Sequence, residues 1–203
     1  MHNNNRFPPI IAFVGVDGCG KSTIIEWIQK NYRHNTINGF IVINRSNRRR
    51  EDNQPIQNYS KSIHPYFISV AKLLVNTIRW EFVYWFKLYP LRRKQTLILC
   101  DHFYFTGMYL DPRRYRYGGP KHLVAWTLRL IPKPDYYILL DAPFEVLYSR
   151  KQEAEPQEVQ DLINQYRQYL AEIPNGYTID ASLPVDQVGL EVSNILNQIM
   201  AAK

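Results

Sequence analysis

The chain has 203 residues, enough for one domain with a sizeable core, so we predict a single domain over residues 1–203. Apolar residues make up 45% and charged residues 21%, which excludes a chain that is disordered throughout. The formal net charge of +7 favours an anionic partner without identifying it.

No apolar run approaches the ~18 residues needed to span a bilayer, and the first residues, MHNNNRFPP, lack the apolar core of a secretory signal. The cysteines, Cys19 and Cys100, are too few for a disulfide framework, and neither has a partner at metal-ligand spacing. We therefore predict a cytoplasmic protein with reduced thiols and no membrane contact.

Short apolar runs alternate with segments of helical periodicity along the chain. Buried strands are predicted at 10–14, 40–44, 96–100, 136–140 and 177–180. Helices are clearest at 22–32, 65–88, 158–172 and 184–200, with Pro90 and Pro174 expected to follow helix ends. This alternation predicts βαβ units, and hence an α/β fold in which helices cover both faces of a parallel sheet.

An aromatic segment, WEFVYWFKLY at 80–89, falls late in the longest predicted helix. Its apolar side chains point to too many sides for a solvated helix, so we expect it to be buried. Packing against a second copy of the chain is the alternative.

The strongest motif is GVDGCGKS at 15–22, which fits G-x-x-x-x-G-K-[ST] between a predicted strand and a predicted helix. Glycines let backbone N–H groups turn toward phosphates, and the following helix adds the positive end of its dipole. Lys21 is placed to reach the β- and γ-phosphates, and the Ser22 hydroxyl to bind Mg²⁺. We therefore predict a nucleoside triphosphate site made of Gly15, Gly18, Cys19, Gly20, Lys21, Ser22 and Thr23.

Two carboxylates belong to the same end of the predicted sheet. Asp17 lies inside the glycine-rich loop, where phosphates would repel it unless it points toward a sugar hydroxyl or a cation. Asp101 follows the strand at 96–100, level with the loop, where it could hold Mg²⁺, assist the acceptor oxygen or cap the next helix. His102 by itself is more often a packed or hydrogen-bonded residue than a catalytic one.

Several segments, in the same order along the chain, resemble the thymidylate kinase family of P-loop nucleoside monophosphate kinases. They are GVDGCGKST at 15–23, RWE at 79–81, DHFYFTG at 101–107, the spaced PD, LD, Glu and Arg residues of 134–150, and IDAS at 179–182. The resemblance implies a P-loop NTPase fold with strand order 2-3-1-4-5, ATP and Mg²⁺ at the donor site, and a homodimer. The implied acceptor is a nucleoside monophosphate, first of all dTMP or a related pyrimidine nucleotide.

The resemblance also implies an acceptor-binding region at about 45–115. There Asp17 would bind the 3′-hydroxyl of the acceptor sugar, Arg45 its phosphate and Arg79 its base. His102 and Thr106 stand in the segment after the third strand, so the resemblance places them at the acceptor as well.

At the donor site the resemblance implies a lid at about 150–157. Arg150, with Lys151 beside it, would approach the transferring phosphoryl group, whose oxygens need positive charge. Lys21, Asp101 and Arg150 are therefore the predicted catalytic residues, and Ser22 and Asp101 the predicted metal ligands.

Departures from the family pattern concern the acceptor side. His102 stands where the family has Arg, and Val75 takes the position of a base-stacking Phe. An insertion at 111–120 could replace the missing charge, bind a larger phosphorylated acceptor, or only pack on the surface or at a subunit contact; its candidates are Arg113, Arg114 and Arg116. Two alternatives stay open: a kinase of a non-nucleotide phosphorylated metabolite or sugar, and a non-catalytic ATP-binding module. Nucleic acid is not an expected partner.

Overall fold

The computed structural model describes residues 7–43, 61–151 and 155–202. Its sheet has five parallel strands in the order β2-β3-β1-β4-β5, which confirms the predicted fold and strand order. The strands are β1 (Ile10–Val14), β2 (Gly39–Ile43), β3 (Thr96–Asp101), β4 (Tyr136–Asp141) and β5 (Gly176–Asp180).

Helices cover both faces of this sheet. They are α1 (Lys21–Asn31), α2 (Tyr66–Val83), α3 (Tyr89–Arg93), α4 (Tyr104–Leu110), α5 (Lys121–Leu130), α6 (Phe144–Arg150), α7 (Pro156–Ala171) and α8 (Val185–Ala201). On one face α1 packs against α8, and on the other α4 packs against α5 and α7. None of the helices in the described ranges is long and apolar enough to cross a membrane.

The core lies around the central strands. Every residue of β1 is buried, and most of β3 and β4 is buried as well. The expectation of a buried strand at 40–44 is wrong for β2, where only Ile43 is buried and Asn44 lies outside the described residues. The strand order explains this difference, because β2 lies at an edge of the sheet and is covered less than the central strands.

The longest predicted helix does not end before Pro90. A π-helical turn, Tyr84–Leu88, joins α2 to α3, and the chain stays helical to Arg93. The N–H of Tyr89 donates to the carbonyl oxygen of Tyr84, five residues earlier. Since proline lacks an N–H and its ring collides with a carbonyl in regular α-helix, the wider turn before Pro90 lets the helix continue.

The aromatic segment at 80–89 is buried on one face only. Trp80 and Leu88 belong to the core, and the indole N–H of Trp80 donates to the carbonyl oxygen of Pro132 at 2.8 Å. In contrast, Phe82 is 60% and Phe86 76% exposed. The prediction that this segment is buried is therefore wrong for its outer face.

The carboxyl ends of the central strands form the edge that carries the site. β1 leads directly into the loop at 15–22. In the parallel register Phe13 lies opposite Asp101, which brings the end of β3 beside that loop. Ligands of open α/β sheets bind at this edge.

Candidate active site

The glycine-rich loop has the curled backbone that phosphate binding requires. Gly15, Gly18 and Gly20 have φ angles of 138°, 90° and 90°, a region that other residues rarely adopt. A Cβ on Gly15 would lie 2.7 Å from the carbonyl oxygen of Leu140 and 2.9 Å from the sulfur of Cys19. Glycine is therefore required at the start of the loop for space as well as for conformation.

Lys21, the first residue of α1, folds back over this loop. Its Nζ donates to the carbonyl oxygens of Gly15 and Val16 at 2.9 and 3.0 Å and lies 3.4 Å from the sulfur of Cys19. The side chain is only 7% exposed. Because these partners are uncharged, a phosphate group bound in the loop would give the Lys21 ammonium a counter-charge.

Ser22 and Asp101 meet across the edge of the sheet. The Ser22 hydroxyl donates to Oδ2 of Asp101 at 2.7 Å, and Asp101 is buried. Helix α4 begins at Tyr104, after Phe103, and has no side-chain cap, so the helix-cap alternative for Asp101 is wrong. Mg²⁺ prefers hard oxygen ligands and commonly binds one or two protein groups together with phosphate oxygens, which this hydroxyl–carboxylate pair fits.

Asp17 points to a cation. Its carboxylate forms an ion pair with Arg114 from the 111–120 insertion, and the two side chains are 15% and 22% exposed. Burial opposes the charge of Arg114, but the nearby Asp17 charge and hydrogen bond outweigh it and raise the guanidinium pKa above its usual value. The sequence alone does not indicate that Asp17 and Arg114 form an ion pair.

The other arginines of the insertion have separate partners. Arg113 pairs with Glu158 on α7, and Nε of Arg116 donates to the carbonyl oxygen of Ser62 at 2.8 Å. Arg114 is thus the arginine of the insertion that reaches the glycine-rich loop. Arg113 and Arg116 help to fix the insertion on its neighbours.

His102 follows Asp101 and lies close to Lys21 and Arg114. It adopts a positive φ of 69°, and its ring stacks on Tyr115 with a centroid distance of 6.4 Å and an interplanar angle of 4°. Burial, followed by the charges of Lys21 and Arg114, holds the His102 pKa well below its usual value, although Asp17 acts in the opposite direction. The imidazole is therefore neutral at neutral pH and carries no charge at this position.

The end of α6 packs onto the loop. A Cβ on Gly18 would lie 3.1 Å from Cβ of Lys151 and 3.6 Å from Cβ of Arg150. The Arg150 guanidinium donates to the carbonyl oxygen of Ala181, after β5, at 2.9 Å. These two residues therefore border the loop, while residues 152–154 of the predicted lid lie outside the described residues.

A cavity of about 310 Å³ opens beside the loop, and the sequence reasoning did not identify its apolar wall. It is lined by Gly18, Thr23, Arg150, Ala181, Leu183 and Val185, among others. Ala181 of this wall belongs to the IDAS segment at 179–182, which indicated the family resemblance but not a cavity. An apolar cavity with one guanidinium at its side suits a flat heterocyclic ring.

The remaining predicted acceptor residues do not gather at the loop. Arg45 lies outside the described residues. Arg79 and Val75 are exposed on α2. Thr106 is fully buried, with its hydroxyl 3.5 Å from that of Tyr169, so the structure places it in the core and not at the cleft.

The fold and the loop define the class of this protein: a P-loop nucleotide-binding protein of the α/β type. The model of the thymidylate kinase family matches residues 13–192, and the chain therefore belongs to the thymidylate kinase family. As a member of this family it is a nucleoside monophosphate kinase.

Among solved structures, that of thymidylate kinase from Candida albicans is similar, with a TM-score of 0.65 over 97% of this chain and 94% of that one. The two sequences are 18% identical, so this likeness concerns the fold. No curated protein sequence matches the chain significantly.

Proposed function

We propose that the protein transfers the γ-phosphoryl group of ATP to a nucleoside monophosphate, with dTMP or a related pyrimidine nucleotide as the acceptor. The observation that carries this proposal is that the glycine-rich loop holds both the Lys21 ammonium, bonded to the loop carbonyls, and the Ser22 hydroxyl, bonded to Asp101. A triphosphate in this loop would bring its terminal group to these side chains.

The loop and the cavity beside it indicate how the donor nucleotide would lie. Its phosphates follow the backbone N–H groups, and its base enters the cavity between Arg150 and the residues after β5. Ser22 and Asp101 would hold Mg²⁺, which supplies counter-charge to the phosphate oxygens when bound. Their bond of 2.7 Å orients the Ser22 hydroxyl.

Transfer needs positioning and charge more than covalent chemistry from the protein. An oxygen of the acceptor phosphate is already anionic, so it attacks the γ-phosphorus without a general base, and ADP leaves as the product diphosphate forms. Lys21 stabilises negative charge on the transferring group. Arg150 and Lys151 pack against the loop at Gly18, and the Arg150 guanidinium turns to the carbonyl oxygen of Ala181 beside the base cavity. The neutral His102 takes no part as a cation.

A kinase of a non-nucleotide phosphorylated metabolite or sugar is the second candidate. The observation behind it is the Arg114–Asp17 pair, because a guanidinium on the acceptor side suits any phosphorylated acceptor and does not by itself require a base. A non-catalytic ATP-binding module gains no support, since the chain belongs to a family of nucleoside monophosphate kinases. The thymidylate kinase from Candida albicans is described as having broad substrate specificity, so the acceptor range must be measured widely.

The acceptor is tested by ADP release from ATP and Mg²⁺ with a panel of ribo- and deoxynucleoside monophosphates and of sugar phosphates. We expect a pyrimidine deoxynucleotide to give kcat/KM at least about tenfold above the sugar phosphates, because an acceptor site of a nucleoside monophosphate kinase discriminates against ligands that lack the base. Activity with sugar phosphates alone would establish the second candidate. No ADP release with any acceptor would overturn both.

We further propose that the exposed face of α2 and the π-helical turn forms the homodimer contact. Large apolar side chains repeat along it at helical spacing: Phe67, Leu74, Val75, Ile78, Phe82 and Phe86. A monomer would leave this contiguous surface in water, whereas a twofold axis would bury it against its own copy. The proposed partner is therefore a second copy of this chain.

Light scattering tests the dimer. We expect the native protein to have twice the mass of the chain and Ile78→Glu to be monomeric, because the carboxylate would be buried without a partner. Leu190→Glu is the control, since Leu190 is 57% exposed and lies on α8. A monomeric native protein, or a dimer that Ile78→Glu leaves intact, would contradict this contact.

A further inference from the structure

A cation from the 111–120 insertion lies on the acceptor side of the cleft. His102, which follows β3, stacks its ring on that of Tyr115, the residue after Arg114, with a centroid distance of 6.4 Å. Arg114 comes from the insertion and not from a strand end, and it reaches Asp17 inside the glycine-rich loop. A positive charge is therefore present beside the loop, supplied by a different part of the chain.

The backbone around Arg114 is held in place. The N–H of Arg114 donates to Oδ1 of Asp111 at 3.1 Å, and the N–H of Tyr117 donates to the carbonyl oxygen of Pro112 at 2.9 Å. Next to it, the Tyr115 ring packs edge-on against Tyr104 at a centroid distance of 4.9 Å. Arg114 is thus presented at a defined position, which lowers the entropy cost of binding a ligand there.

An anionic group is the natural ligand for this guanidinium. Phosphoryl transfer brings the acceptor phosphate close to the donor triphosphate, and two such anions approach only if cations lie between and beside them. The planar fork of arginine donates two parallel hydrogen bonds to a phosphate and is weakly hydrated compared with an ammonium group. Asp17 compensates the charge of the largely buried Arg114.

Building on the proposed function, we propose that Arg114 binds the phosphate of the acceptor nucleotide and exchanges its Asp17 partner for phosphate oxygens. Because a nucleoside without phosphate offers no such exchange, Arg114 makes the site select nucleoside monophosphates over nucleosides.

The test compares the binding of dTMP and of thymidine by calorimetry. Arg114→Gln is expected to weaken dTMP binding by about 30-fold, the effect of losing charge-assisted hydrogen bonds, and to change thymidine binding by less than about threefold. Arg114→Lys keeps the charge without the fork and should recover part of the dTMP affinity. Arg129→Gln, an exposed arginine on α5, is the matched control, and thermal melting verifies that each variant is folded.

The Asp17→Asn background distinguishes phosphate binding by Arg114 from a purely structural role, in which Arg114 only holds Asp17. If Arg114 binds phosphate, Arg114→Gln weakens dTMP binding by about 30-fold or more when residue 17 is neutral, because no Asp17 pair then has to be broken. Loss of the effect in that background would overturn the proposal. So would equal weakening of dTMP and thymidine binding, unchanged dTMP binding, or a native protein that binds dTMP no more tightly than thymidine.

Failure of the proposed function has a different signature. A native protein that releases no ADP with any nucleotide, yet loses dTMP binding selectively in Arg114→Gln, would refute the transfer reaction and retain the phosphate contact. ADP release with dTMP together with an unchanged dissociation constant in Arg114→Gln would refute only the role of Arg114.

Discussion

Replacing Lys21 by methionine is expected to lower kcat by about 10³-fold, the scale at which removal of a charge-stabilising group in phosphoryl transfer acts. The Lys21 ammonium donates to the loop carbonyls of Gly15 and Val16 in the free protein and is nearly buried. It is therefore already positioned where the charge of the transferring group develops. Single-turnover measurements with saturating ATP and acceptor report the chemical step directly.

The stability of this variant should change little. Methionine has a similar length, and only hydrogen bonds to backbone carbonyls are lost, so we expect a change in the free energy of unfolding of about 1 kcal/mol. Lys30→Met, at the exposed end of the same helix, is the control and should retain full activity. An unchanged kcat in Lys21→Met would exclude this loop as the donor site.

Asp101→Asn is expected to raise the Mg²⁺ concentration required for half-maximal activity by about 10- to 100-fold. The substitution keeps the shape of the side chain, and its amide oxygen still accepts the Ser22 hydroxyl hydrogen bond that measures 2.7 Å. What it removes is a negative charge at the pair that would hold the cation. Titrating activity with Mg²⁺ at fixed ATP measures this shift.

Ser22→Ala should act in the same direction, because it removes the hydroxyl and leaves the Asp101 carboxylate. The double variant is expected to show a non-additive effect, since the two groups act on one cation. Glu172→Gln, at the exposed end of α7, removes an equal charge elsewhere and serves as the control. A Mg²⁺ dependence identical in all of these variants would place the metal away from the Ser22–Asp101 pair.

Local sequence patterns predicted most of the fold. Each predicted strand is present, because short apolar runs between turn residues have few ways other than a buried strand to leave water. The loop at 15–22 could also be predicted from the sequence, because the positive φ angles at Gly15, Gly18 and Gly20 favour glycine. Ser22 and Asp101 were predicted as metal ligands at the same edge of the sheet; the structure joins them by a hydrogen bond, and their role toward a metal stays a prediction.

Features that depend on contacts between residues far apart in the chain could not be predicted from local sequence patterns. The partial exposure of β2 follows from its place at the sheet edge, and the continuation past Pro90 follows from a π-helical turn. The outer aromatic face of 80–89 is exposed because the core covers only one side of that helix. Periodicity reports which residues share a face, but not whether another element covers it.

The sequence by itself determined the phosphate loop, its lysine and the class of nucleotide chemistry, because these depend on residues adjacent in the chain. Only the tertiary structure decided that Arg114 faces Asp17 and that burial lowers the His102 pKa. Both results depend on how the insertion at 111–120 folds over the end of β3. The free energy of a buried charge is set by the groups that surround it in space, and a linear sequence does not specify which groups those are.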